Sequence, residues 1–164
     1  MNRYFTHYWK NDTCRDHESH SGGPLDYIAG NMFRERGVNE GDVVYIVTVK
    51  RGRLFLIGRL TVGQICGPAE AARIVGMDDL WSAKEHIIAA SATPMRFDND
   101  VPAELTEKLL FVASPHSKPL RFTDPAYLDQ QTLRSVRELE PASARALDEL
   151  LPPDTPIQRT TQVV

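Results

Sequence analysis

Val43-Val44-Tyr45-Ile46-Val47-Thr48-Val49, the turn Lys50-Arg51-Gly52-Arg53 and the return run Leu54 to Val62 decide the fold of this chain. Side chains that branch at Cβ crowd the turns of a helix and fit the pleat of a sheet, so Val43 to Val49 is a strand. A turn as short as Lys50 to Arg53 sends the chain straight back, which makes Leu54 to Val62 its antiparallel partner. Gly58 inside the return strand marks a bulge, a bend or a close approach by another group. The hairpin is entered through the turn Asn39-Glu40-Gly41-Asp42.

Upstream, the aromatic run Arg3-Tyr4-Phe5-Thr6-His7-Tyr8-Trp9 reads as a further strand ending at Asn11-Asp12-Thr13. Cys14 to Gly23 is polar and reads as a loop. It delivers the chain to a helix starting near Pro24, with Leu25, Ile28, Met32 and Phe33 on one side and Gly37 as its C-cap. Downstream, Ala69 to Val75 is a helix stopped by Gly76, and His86 to Ala92 is a strand closed by Thr93-Pro94. Val101-Pro102 opens a helix running to about Val112, and Lys118 to Phe122 suits a short edge strand. Leu133, Val136 and Leu139 recur at helical spacing. Pro141 to Leu151 is a terminal helix ended by Pro152-Pro153, and the tail from Asp154 to Val164 is expected to be loosely held.

This order is α+β: one domain over residues 1–153, with a small curled mixed or antiparallel sheet or barrel flanked by helices. The composition agrees. With 164 residues, 41% of them hydrophobic and 25% charged, the chain can bury a core without disulfide, metal or obligatory partner. Cys14 and Cys66 are far apart and form no paired motif, which suits a reducing compartment. No apolar run approaches the ~20 residues of a membrane span, so a cytoplasmic location and no membrane partner are expected.

The net charge of −3 excludes a basic coat, so any contact with nucleic acid must be local. Charge is also segregated: Lys50 to Arg59 has cations and no acid, and Asp98 to Glu107 is the reverse. Phosphate-cradling loops, nucleophile elbows, H-E-x-x-H and paired C-x-x-C motifs are missing, so neither an enzyme nor a cofactor is expected. Cys14-x-x-His17-x-x-His20 carries ligand and nucleophile residue types, but its spacing matches no closed zinc site and assigns no metal.

Ala29-Gly30-Asn31-Met32-Phe33-Arg34, then Val38-Asn39-Glu40-Gly41-Asp42-Val43-Val44-Tyr45 and Ile57-Gly58-Arg59-Leu60, follow an aromatic first strand. This arrangement resembles the EVE domains of the PUA-like superfamily, which include YTH readers of methylated adenine in RNA and modules of modification-dependent restriction systems as relatives. The resemblance is most specific over Tyr4 to Val62. It implies a PUA-like curled sheet that captures a modified nucleobase near the end of the first strand. A methylated cytosine flipped from DNA is the preferred ligand, and methylated adenine or another modified RNA base the alternative.

The residues supply the types such a pocket needs, namely flat walls and fixed polar groups for a base edge. Tyr8, Trp9, Asn11 and Asp12 lie at the strand end, with Trp9 suited to stacking. His20 and Ser21 belong to the loop that follows. Tyr27 and Asn31, four apart on the expected helix, would line the opposite side. Lys10, Arg34, Lys50, Arg51 and Arg53 are the candidates for phosphate contact. Each has an ordinary role as well: a core indole, turn-forming Asn and Asp, a solvated hairpin tip, or cations such as Arg34 and Arg36 at a helix end. A small hydrolase or nuclease using the loop histidines, and a protein-interaction domain, are the alternatives from other classes.

Overall fold

The computed structural model describes residues 2–19, 25–76, 82–124 and 126–158. In chain order the elements are β1 (Tyr4–Tyr8), α1 (Asn11–Ser19), β2 (Tyr27–Gly30), β3 (Val43–Lys50), β4 (Arg53–Cys66), α2 (Pro68–Val75) and β5 (Glu85–Ala92). There follow α3 (Ala103–Lys108), β6 (Leu110–Phe111), β7 (Lys118–Pro119), β8 (Phe122–Asp124), β9 (Tyr127–Leu128), a 3-10 turn (Gln130–Leu133), β10 (Val136–Leu139), α4 (Pro141–Asp148) and β11 (Thr155–Pro156). The fold is α+β with a mostly antiparallel sheet. Its strands run in the order β11-β5-β4-β3-β1-β10-β6-β7, and β2 adds to β5. Among the described residues only β1 and β3 pair in parallel. Among the described residues the sheet stays open at β11 and β7, so the barrel alternative does not form. No helix among them is long and apolar enough to cross a membrane.

The β3–β4 hairpin sets the two faces. Register runs Ile46 to Gly58 and then Val47 to Leu56, leaving Ile57 as an extra residue in a bulge. That insertion reverses the alternation along β4: Leu54 and Leu56 join one core with Tyr45 and Val47, while Leu60 and Val62 join the opposite core with Val44 and Ile46. Gly58 is required because a Cβ there would lie 2.9 Å from Thr93 Oγ1. The same parity governs β1. Phe5 and Trp9 pack into the core of Val44 and Ile46, and Tyr4 and Tyr8 border the core of Tyr45 and Val47.

Five expectations are corrected. The expected loop after Thr13 is instead α1, which buries Cys14 alone and so has too little apolar periodicity to read as a helix. The expected helix from Pro24 to Gly37 is replaced by β2, whose four residues ladder onto β5. Leu25, Ile28 and Phe33 still enter the core and Met32 is half-buried, but they do so from a strand and the segments on either side of it instead of a helix. Leu133, Val136 and Leu139 are likewise all buried, but on a 3-10 turn and a strand separated by Ser135 at φ 68°. The helix expected from Val101 to Val112 is short, because Leu110 and Phe111 are drawn into the sheet between β10 and β7. The tail contributes β11, which pairs with β5 through Thr155 and Pro156.

Candidate functional site

Strand alternation separates the two aromatics expected to form one pocket. Successive side chains on a strand point to opposite faces, so Tyr8 and Trp9 cannot wall the same cavity. Trp9 is 5% exposed in the core of Val44 and Ile46, and the His17 ring of α1 lies flat on its indole at 4.2 Å between centroids and 10° between planes. In this structure the indole therefore offers no open face to a base. Cys14, buried beside it, has its thiol pushed up by burial, so it is a poor nucleophile at neutral pH.

On the other side of β1 a hollow of 470 Å³ opens between Tyr8, Lys10, Asn11 and Asp12 at the strand end and Gln130, Gln131, Arg134 and Ser135 from the 3-10 turn and its exit. The Tyr8 hydroxyl donates to Gln130 Oε1 at 3.4 Å. Burial, with the Cys14 thiol nearby, holds this phenol above its ordinary value, so it remains a neutral donor. The Thr48 hydroxyl donates to the Trp9 carbonyl at 2.7 Å and lies 3.3 Å from Asn11 Oδ1, fixing the chain where it leaves β1 for α1. Asp12 takes an ion pair from Arg15 one turn on, with both side chains exposed. The result is an aromatic side chain beside amides, a carboxylate and two cations.

A second recess, of 340 Å³, shares Gln131 and Arg134 with this hollow. Its charged lining is Arg36, Lys118, Arg121, Arg134 and Arg137, with no acidic residue. The nearest carboxylate contact is Asp129, 3.9 Å from Arg121. Arg137 lies deepest. It stands opposite Thr6 in the β1–β10 ladder, donates to the Thr132 carbonyl at 2.6 Å and lies 4.3 Å over the Phe111 ring. Burial, then the like charges of Arg121 and Arg36, pull its guanidinium below its ordinary value. It remains a cation, but one surrounded by cations, and this is an environment an anion would relieve.

The structure thus brings together four of the expected residues, Tyr8, Lys10, Asn11 and Asp12, and leaves the other described ones apart. Tyr27 sits on β2 against β5, and the Asn31 side chain accepts from the Lys84 backbone N–H at 2.9 Å. His20 and Ser21 lie outside the described residues. Arg34 donates to the Ile65 carbonyl at 2.7 Å. Lys50 lies 3.5 Å from the Phe97 carbonyl and over the Phe55 ring, and Arg53 pairs with Asp100 at 2.6 Å. The acidic stretch noted in the sequence therefore folds back on the basic hairpin and partly neutralises it. Arg51, at φ 52° in the hairpin turn, is exposed.

The residues that build the basic recess were not singled out from the sequence. They come from three separate stretches of chain, and no local run of cations announces them. Among the described residues, no group of three or more His, Cys, Asp or Glu side chains is placed to hold a metal ion. No protein-family model, curated protein or solved structure matches the chain.

Proposed function

We propose that this protein binds nucleic acid and reads a base, with phosphate held in the basic recess and the base in the hollow beside Tyr8. The observation that carries this reading is the adjacency of the two cavities, which share Gln131 and Arg134. Phosphate contacts supply affinity and position, and base-edge contacts supply selectivity. A net charge of −3 with five cations lining one recess suits a local anchor better than a long electrostatic track.

The resemblance to EVE domains adds that the base is modified, with methylated cytosine in DNA preferred and methylated adenine in RNA the alternative. Tyr8 supplies the aromatic surface, and Asn11 and Gln130 the donors and acceptors for the base edge. A methyl group alone is worth ~1–3 kcal/mol of discrimination, so preference for the modified base is graded.

Fluorescence anisotropy with paired oligonucleotides, methylated and unmethylated, in DNA and RNA, tests the proposal. Tighter binding of one methylated partner, weakened at least about tenfold in Tyr8→Ala and Asn11→Ala, is expected. Equal affinity for every partner would remove the base-reading half of the proposal, and no binding would remove all of it. Trp9→Ala is a poor probe, because emptying a buried indole site costs about 3–5 kcal/mol of stability.

A further inference from the structure

The basic recess is more concentrated than one link of a continuous strand requires. An internal phosphodiester brings a single negative charge, whereas a terminal phosphomonoester carries about −1.5 to −2 at neutral pH and three acceptor oxygens. Five cationic side chains line the recess, against one carboxylate contact, at 3.9 Å, among the described residues. Three of the cations expected to hold phosphate are already engaged: Arg34 with a carbonyl, Lys50 with a carbonyl and a ring, Arg53 with Asp100. Arg137 is held from beneath by Phe111 and at its side by Thr132, so its fork is aimed before any ligand arrives. Across the β1–β10 ladder from Arg137, the Thr6 hydroxyl is buried and has no hydrogen-bond partner. Charge in excess of a diester, preorganised and left uncompensated, is what a dianionic group would need.

We infer that the recess lined by Arg36, Lys118, Arg121, Arg134 and Arg137 binds the terminal phosphomonoester of a nucleic-acid strand, with the terminal nucleoside placed in the hollow beside Tyr8. This rests on the nucleic-acid reading above and narrows it to strand ends. Arg134, common to both cavities, bridges the phosphate to its nucleoside.

The test is anisotropy with one single-stranded sequence in four forms: 5′-phosphorylated, 3′-phosphorylated, hydroxyl at both ends, and covalently circular. One phosphorylated form is expected to bind at least about tenfold tighter than the hydroxyl-ended and circular forms, the gain of one or more charge-assisted contacts. That preference is expected to fade below about pH 6, where the monoester loses its second charge. Arg121→Gln and Arg134→Gln, at exposed positions that leave the core untouched, are expected to abolish the preference while hydroxyl-ended binding falls less. Inorganic phosphate and a nucleoside monophosphate serve as competitors: a phosphorylated end displaced by the nucleotide at far lower concentration than by phosphate supports placement of the nucleoside in the hollow. Displacement at equal concentrations would overturn that placement. Equal affinity for all four forms would overturn the inference and leave the nucleic-acid reading standing. Absence of binding to every form would overturn both.

Discussion

His7 sits 9% exposed on β1 with its Nδ1 unpartnered and its ring tilted against Phe33 at 5.0 Å. Burial pulls its pKa down to about 4 from 6.5, and a bond to the Ala29 carbonyl only partly opposes this. An unfolded imidazole accepts a proton that the folded one refuses. The stability tied to this residue is therefore complete above pH 6.5 and is lost as the pH falls through 6.5 to about 4, in all by about 3 kcal/mol. Urea denaturation of the parent and of His7→Gln, at neutral pH and near pH 4, checks it. The variant is expected to lose less stability on acidification, and identical losses would assign the acid sensitivity to other groups. At the same scale Trp9 shows where reading residues from sequence stops. Its type suits both a stacking platform and a core, and only the face it takes on the strand decides between them.

Among the elements, the hairpin was legible because its composition and its turn point the same way. Local propensity and tertiary pairing agree in β3 and β4, and even the bulge at Ile57 had a sequence mark in the adjacent Gly58. β2 was not legible. Leu25, Ile28 and Phe33 are spaced for a helix, yet the free side of β5 binds this segment as a strand, a demand made by residues far along the chain. The cavity residues of the strand end were legible for the same local reason as the hairpin, while the basic recess exists only once β7, β10, the 3-10 turn and Arg36 are brought together. The turn before the hairpin offers a prediction at this scale. Asp42, 4% exposed, accepts from the backbone N–H of Arg3 at 3.0 Å and of Asn39 at 2.8 Å, clamping the start of β1 to the start of β3. Asp42→Ala leaves two donors without partners and is expected to cost about 2–3 kcal/mol in a denaturant titration, with Asp42→Asn losing roughly half as much.

At the scale of the whole molecule, one charge network joins parts distant in sequence. Arg59 on β4 pairs with Asp148 of α4 and, at 2.9 Å, with Asp154 just before β11. Tyr45 donates to Asp148 at 2.6 Å, and Ser91 donates to Asp154 at 2.8 Å. Burial works against the charge on Asp154, and Ser91 and Arg59 outweigh it, so its carboxyl lies below its usual range. This contribution is present at neutral pH and lost as the pH falls through that lowered value. Arg59→Ala strands two carboxylates that are only partly exposed and is expected to cost about 2 kcal/mol after solvent screening. Amide exchange at Ile157, whose N–H donates to the Ala90 carbonyl at 2.9 Å, is expected to accelerate in Arg59→Ala and in Asp154→Ala. Unchanged exchange would mean that β11 is held without the network.

The strand path β11-β5-β4-β3-β1-β10-β6-β7 ends on two strands of two residues each, and each contains a proline, Pro156 in β11 and Pro119 in β7. A newcomer seeking to lengthen the ladder there meets a ring nitrogen with no hydrogen to give and a template too brief to hold it. Those two termini therefore give a further strand little main chain to pair with, and lengthening of the sheet is disfavoured there.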